Sequence, residues 1–329
     1  MMLRTALLLA ARSPRCRALV ERAPLTRGVV ARFVAGTTLE EVLPVVRRLT
    51  ADRLVTLDHL GEDVTDAERA ADTVDAYVRL LAELGVHGLA ERAEVSVKLS
   101  ALGLALPADG RRTALDNARR ICAAAEAVGT TVTLDMEDHT TTDDTLDILH
   151  RLRADFPGTG AVLQAYLRRT EADCRDLAVP GSRVRLCKGA YDEPASVAYR
   201  DRGEVDRSYV RCLRVLMDGP GYPMVATHDP RMLRIAAHLA EEAGRAADSY
   251  EYQMLYGVRA DAQAALAARG QRVRVYVPYG GQWYGYFMRR LAERPANVAF
   301  LARSLVDGGG AERGVTEIWE PLRRRDPLR

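Results

Sequence analysis

Short apolar runs recur along the chain, each followed by a longer stretch in which apolar residues return at helical spacing. Eight such runs stand out: Leu54–Leu60, Glu94–Ser100, Thr131–Glu137, Ala161–Leu167, Val184–Tyr191, Met224–His228, Tyr250–Tyr256 and Val273–Val277. Several are β-branched and almost uninterrupted in their apolar character, the pattern of strands buried on both faces of a parallel sheet. The intervening segments are rich in Ala, Leu, Arg and Glu. Asp63-Val64-Thr65-Asp66-Ala67-Glu68 opens one of them with a capping-type pattern, and Gly85, Gly88, Gly129, Gly244 and Gly270 fall where helices should stop before the next strand.

Eight strand–helix units predict an α/β protein built as a (βα)8 barrel of the TIM type with N-terminal helices. A doubly wound sheet is the competing arrangement. It lacks support because no Gly-x-Gly-x-x-Gly follows the first strand. The predicted organisation is a helical segment over residues 1–50, a catalytic barrel over 51–310 and a tail over 311–329. Within the first segment, Thr37–Thr50 reads as a helix across the barrel floor.

Composition narrows the class without changing it. The 329 residues are 48% hydrophobic and 28% charged, with a formal charge of +2. That is an ordinary globular balance, and no basic tract is interleaved with aromatics, so no nucleic-acid partner is expected. Cys16, Cys122, Cys174, Cys187 and Cys212 are scattered and form no Cys-x-x-Cys, which predicts free thiols in a reducing compartment and no metal site. The run Thr5–Ala11 is apolar but short, and Arg12, Arg15 and Arg17 follow at once, so a helix start is expected there, not a secretory signal.

The basic residues carry the first chemical information. Of 47, only Lys98 and Lys188 are lysine, and both end strand-like runs. Strand carboxyl ends are where barrel enzymes assemble their sites. Reading all eight ends gives Asp58, Lys98, Asp135 with Glu137, Gln164, Arg185 with Lys188, Thr227 with His228, Gln253 and Tyr276. Any one of these could be a solvated rim residue. Together they describe a polar mouth of mixed charge. Downstream, Tyr286, Arg289, Arg290 and Glu293 share one face of a predicted helix, and a pair of guanidiniums suits the two-pronged capture of a small carboxylate.

The runs Val97–Ser100, Leu186–Tyr191, Ala226–Asp229, Glu251–Gly257 and Tyr286–Asn297 resemble the proline dehydrogenase family, in order. The similarity extends to Ser13–Arg15 and Pro24–Gly28, so it covers nearly the whole chain in the short, single-function form. The resemblance implies a distorted (βα)8 barrel with FAD across the strand carboxyl ends. It implies oxidation of L-proline to Δ1-pyrroline-5-carboxylate by hydride transfer from C5, with electrons passed to a membrane quinone. The corresponding location is cytoplasmic, with peripheral contact on the inner face of the plasma membrane.

Carried over by position, Arg289 and Arg290 would clamp the carboxylate while Lys98, Tyr276 and Tyr286 shape the pocket. Asp135 and Arg185 would be the catalytic pair. Gln164, Arg185, Lys188 with the Gly189 and Ala190 backbone, Thr227, His228 and Gln253 would hold FAD, joined by the main chain of Met136. The chain departs from the family at Asp192, where many relatives carry an aromatic residue. Two other classes compete: a Schiff-base aldolase on the same barrel using Lys188, and a non-catalytic binding protein on this fold. Flavin colour on purification separates them.

Overall fold

The computed structural model describes residues 26–62 and 64–293. The Thr5–Ala11 run, the Ser13–Arg15 motif, the end of the Tyr286–Asn297 motif and the predicted tail at 311–329 lie outside them. Among the described residues two helices, α1 (Thr26–Ala31) and α2 (Leu39–Leu49), precede the first strand.

Eight parallel strands then close on themselves in sequence order. They are β1 (Leu54–His59), β2 (Ala93–Val97), β3 (Val132–Leu134), β4 (Gly160–Gln164), β5 (Arg183–Cys187), β6 (Tyr222–Ala226), β7 (Glu251–Leu255) and β8 (Val273–Tyr279). Closure is made by β1 against β8, paired from Leu54 with Arg274 to His59 with Tyr279. The helices between strands are α3 (Ala67–Val86), α4 (Gly110–Ala127), α5 (Thr142–Arg153), α6 (Thr170–Leu177), α7 (Arg202–Asp218), α8 (Pro230–Glu242) and α9 (Ala260–Ala268), and α10 (Trp283–Glu293) follows β8. Asp66 caps α3 by accepting from the amide of Arg69, as the capping pattern predicts.

All eight predicted strands are present, but several stop earlier than their apolar runs. β3 ends at Leu134, so Asp135, Met136 and Glu137 belong to the loop, and β5 ends before Lys188. Asp135, Met136 and Glu137 remain buried against the barrel, which is why their composition reads as strand, whereas Lys188 is half-buried. Asp135 still donates its amide to the carbonyl of Val97 at 2.8 Å, one last rung before the chain turns away.

The helix predicted across the floor lies elsewhere. Just before α2, Ala35 donates to the carbonyl of Pro278 and Gly36 accepts from Gly280, both at the carboxyl end of β8. The helix then descends along the outer wall to the amino end of β1, burying Val42, Val46 and Leu49 in the main core. It stands where a helix after β8 would complete the outer ring. That leaves α10 to pack elsewhere. Its Tyr284, Phe287 and Leu291 form a separate cluster with Phe33, Val34 and Leu60, next to Val258. Leu60 and Val258 follow β1 and β7, so α10 lies over the carboxyl mouth. This exchange of helices is the distortion of the barrel.

The interior also departs from the usual filling of bulky branched side chains. Glu94, Glu251, Arg183 and Arg274 occupy its amino end, Ser96, Arg185 and Gln253 lie above them, and Asp58, Lys98, Asp135 and Tyr276 close the top. Acidic and basic groups balance along this column, and adjacent members are hydrogen-bonded or ion-paired. Buried charges persist only when so compensated.

Candidate active site

Asp135 is the hub of the mouth. Its Oδ1 accepts from Ser96 Oγ at 2.6 Å and Arg185 Nη1 at 2.7 Å. Its Oδ2 accepts from the Tyr276 hydroxyl at 2.7 Å and lies 3.6 Å from Lys98 Nζ. Lys98 is also held by Asp58 Oδ2 at 2.7 Å. Arg185 donates through Nε to Gln253 Oε1 at 2.5 Å and lies 5.3 Å from the Tyr276 ring centroid. Five predicted residues from five strand ends, Asp58, Lys98, Arg185, Gln253 and Tyr276, thus converge on one carboxylate or its direct partners.

The electrostatics follow from that packing. Burial alone would raise the Asp135 carboxyl, but Lys98 and Arg185 overcome it and hold the group below its ordinary range. Burial works against the Lys98 ammonium, and Asp58, Asp135 and Glu62 more than compensate, pushing it up. Burial and the Asp135 charge push the Tyr276 hydroxyl well up. Each group is therefore fixed in one protonation state near neutral pH.

A second group lines the β3–β7 side. Gln164 donates to the carbonyl of Glu137 at 2.7 Å, and Met136 is buried between that loop and the barrel. The Glu137 carboxylate accepts from the amide and hydroxyl of Ser100 at 2.9 and 2.5 Å, and burial raises its carboxyl. Lys188 bridges Asp206 at 2.5 Å and Asp229 at 3.2 Å, with Arg231 on the same two carboxylates. Thr227 Oγ1 accepts from the amide of Asp229 at 3.2 Å. His228 Nε2 accepts from the amide of Leu255 at 2.9 Å, which sets the Nδ1–H tautomer. Gly189 has a φ of +109°, and a Cβ there would lie 2.2 Å from the Tyr166 ring. Glycine is required on both counts. Ala190 beside it is exposed.

The third group is on α10. Arg289 forms a two-pronged pair with Glu62 in the loop after β1. Arg290 lies 5.1 Å from the Tyr286 ring centroid, and Tyr286 is buried. The Glu293 side chain lies outside the described residues. Arg289 joins the first network through charge: Glu62 raises both Arg289 and Lys98, and Tyr191 feels Glu62, Glu137, Lys98 and Arg289 together. Ser96, Glu62 and Tyr191 are site residues that strand-end reading missed. Ser96 is internal to its strand and chemically bland. Glu62 and Tyr191 lie in loops with no periodicity, and with Glu293 already within helical reach of the arginine pair nothing in the sequence signals a second acid.

Among the described residues no group of three His, Cys, Asp or Glu is placed to hold a metal ion, and no helix is long and apolar enough to cross a membrane. The donor set does fit FAD. Gln164, Arg185, Lys188, Thr227, His228 and Gln253 come from the ends of four adjacent strands, an array of N–H and O–H donors suited to phosphate oxygens and to the polar edge of a flavin.

A parallel barrel with a compensated polar cluster at its carboxyl mouth is the architecture of a barrel enzyme. The family model for proline dehydrogenase matches residues 43–303, and this chain belongs to that family. It is 39% identical over 281 residues to proline dehydrogenase 2 of Bacillus subtilis, covering 85% of this chain and 91% of the relative. It is 40% identical over 280 residues to proline dehydrogenase of Deinococcus radiodurans, covering 84% and 90%. In fold it is similar to proline utilization A of Bdellovibrio bacteriovorus inactivated by N-propargylglycine, with a TM-score of 0.75 and 26% identity. That match covers 87% of this chain but 34% of the larger protein, about a third of its length. The chain is accordingly an FAD-dependent oxidoreductase that oxidises proline in proline catabolism.

Proposed function

We propose that the mouth described above oxidises L-proline to Δ1-pyrroline-5-carboxylate, with Asp135 and Arg185 at the reacting centre. The observation that carries this reading is the convergence of Lys98, Arg185 and Tyr276 on Asp135, beneath a helix that presents Arg289 and Arg290. Paired guanidiniums match a carboxylate, so these two would hold that end of proline while Lys98, Tyr276 and Tyr286 shape the rest of the pocket. Met136 through its main chain, Gln164, Arg185, Lys188, Gly189, Ala190, Thr227, His228 and Gln253 would hold FAD. When bound, FAD supplies the acceptor for the hydrogen and two electrons that leave C5 of proline.

What remains for the protein is orientation, electrostatics and exclusion of water. Asp135 is fixed as a carboxylate and accepts the Tyr276 hydroxyl, which locks that ring against the pocket wall. The Lys98, Arg185 and Arg289 cations disfavour a positive charge on the substrate amine, so the neutral amine is the form bound for reaction. Arg185 favours negative charge on its neighbour at the mouth. Turnover then needs a second acceptor, and a membrane quinone met by peripheral contact on the inner face of the plasma membrane fills that role.

Lys188 gives no support to a Schiff-base aldolase, because its ammonium nitrogen is already spent on Asp206 and Asp229. The deciding experiment is anaerobic addition of proline to the purified, FAD-reconstituted protein. Loss of the flavin absorption is the expected result. A protein that takes up no flavin, or whose flavin ignores proline, defeats the proposal. Reduction of a soluble quinone analogue and co-sedimentation with anionic lipid vesicles test the acceptor and the membrane contact separately.

A further inference from the structure

Arg185 has two carboxylates near it, and only Asp135 belongs to the mouth. Below it, Glu94 projects from β2 into the barrel and is 2% exposed. Glu94 Oε1 accepts from Thr56 Oγ1 at 2.8 Å, and Oε2 accepts from Arg183 Nη2 at 2.5 Å. Its Oε1 also lies 3.7 Å from Arg185 Nη2 and 3.8 Å from Arg274 Nε. Nε and Nη1 of Arg185 are taken by Gln253, Asp135 and Ser96, whereas Nη2 is buried with no hydrogen-bond acceptor among the described residues. Glu94 is therefore the charge that Nη2 faces, at a distance too long for a hydrogen bond.

Arg274 has its own partner in Glu251, at 2.7 Å. Burial alone would raise the Glu94 carboxyl, but Arg183, Arg274 and Arg185 hold it well down, so the carboxylate is charged throughout the working pH range. In a low-dielectric interior such a charge acts over several ångströms with little screening.

We propose that Glu94 is a positioning residue that fixes the plane of Arg185 from below and cancels part of its positive field, thereby setting the reduction potential of bound FAD. The proposal rests on the assignment of Arg185 to the flavin. A negative charge beneath Arg185 weakens the stabilisation of reduced flavin, so removing that charge should raise the potential.

Neutralising Glu94 leaves Arg183 short of a partner. Arg183 lines a cavity of about 580 Å³ at the amino end of the barrel, on the face opposite the site, where water can solvate it. The test is the midpoint potential of the FAD-loaded full chain, measured against a redox dye. Glu94→Gln should shift the reduction equilibrium roughly tenfold toward reduced flavin, about 30 mV for a two-electron couple. Glu94→Asp, which keeps the charge, should stay within roughly threefold of the parent.

If Glu94→Gln does not fold, Glu94→Gln with Arg183→Met restores the balance of the column. Its potential should rise by less but in the same direction, because Arg183 lies farther from the mouth. The control is Arg185→Met, which should lower the potential. An unmoved potential and spectrum in Arg185→Met would sink the assignment of Arg185 itself. A lowered potential there with none of the Glu94 variants moving would overturn the role of Glu94 alone.

Discussion

Glu62 and Arg289 form a two-pronged ion pair at the barrel mouth, with Oε1 2.6 Å from Nη2 and Oε2 2.9 Å from Nη1. The pair ties the loop after β1 to α10, the helix displaced onto the mouth. It occupies the terminal edge of the guanidinium, which leaves the Nε edge for a second carboxylate. Arg289 is therefore oriented before substrate arrives.

Arg289→Met should weaken proline capture while leaving FAD bound, since none of the residues proposed to hold the flavin lies on α10. Losing one fork of a charge-assisted pair removes about 2–3 kcal/mol, or roughly 30- to 150-fold in kcat/KM. Arg290→Met should behave alike. Steady-state kinetics with flavin occupancy measured in parallel provides the check. Wild-type KM for proline in both variants would rule out the carboxylate clamp.

Lys188→Ala separates a flavin contact from a nucleophile. Its loss frees Asp206 and Asp229 to bind Arg231 alone and removes a cation from the side of the mouth proposed to hold the flavin. Weaker FAD binding and a rate lowered by roughly 10- to 1,000-fold are expected, with turnover surviving in excess FAD. Borohydride trapping of a carbonyl substrate on Lys188 in flavin-free protein would instead establish the aldolase.

The barrel was legible because each strand is a short apolar run followed by a helical repeat, and that periodicity survives without knowledge of contacts. Strand ends were less legible. Asp135 and Lys188 lie past the assigned strands, yet each keeps one backbone bond to the end of a neighbouring strand, so composition does not change where the strand stops. The position of α2 was not readable at all. Its amphipathic stripe specifies that one face is buried, whereas the choice of wall over floor is made by the bonds of Ala35 and Gly36 to the end of β8. Strand-end polarity pointed to Lys98, Asp135, Arg185, Gln253 and Tyr276. It could not point to Ser96 or Glu94, whose importance comes from registers across the barrel interior.

Activity should rise from neutral to mildly alkaline pH. Asp135 is held low and Lys98 and Arg289 are held high, so none of the three changes charge between about pH 6 and 9. The titrating group is then the substrate amine, with an apparent pKa below that of free proline because the site is cationic. Glu137 is a carboxyl of the mouth raised by burial, and a limb of its own would disappear in Glu137→Gln while the amine limb stayed. A flat kcat/KM profile across this range contradicts the mechanism.

Asp135 also makes a prediction about acid stability, independent of turnover. Its folded-state value is depressed, as Lys98 and Arg185 outweigh burial. The unfolded group titrates near about 3.9. A depressed carboxyl contributes stability that is complete above the unfolded value and is lost as pH falls through the folded one. Asp135→Asn strips Lys98 and Arg185 of a shared partner, and breaking a buried pair in this way costs about 3–5 kcal/mol at neutral pH. Urea unfolding of both proteins should therefore show a difference that is constant from about pH 8 to 5 and shrinks below about pH 4. A gap that widens on acidification, or stays the same down to about pH 2, would mean that Asp135 is not held ionised by its two cations.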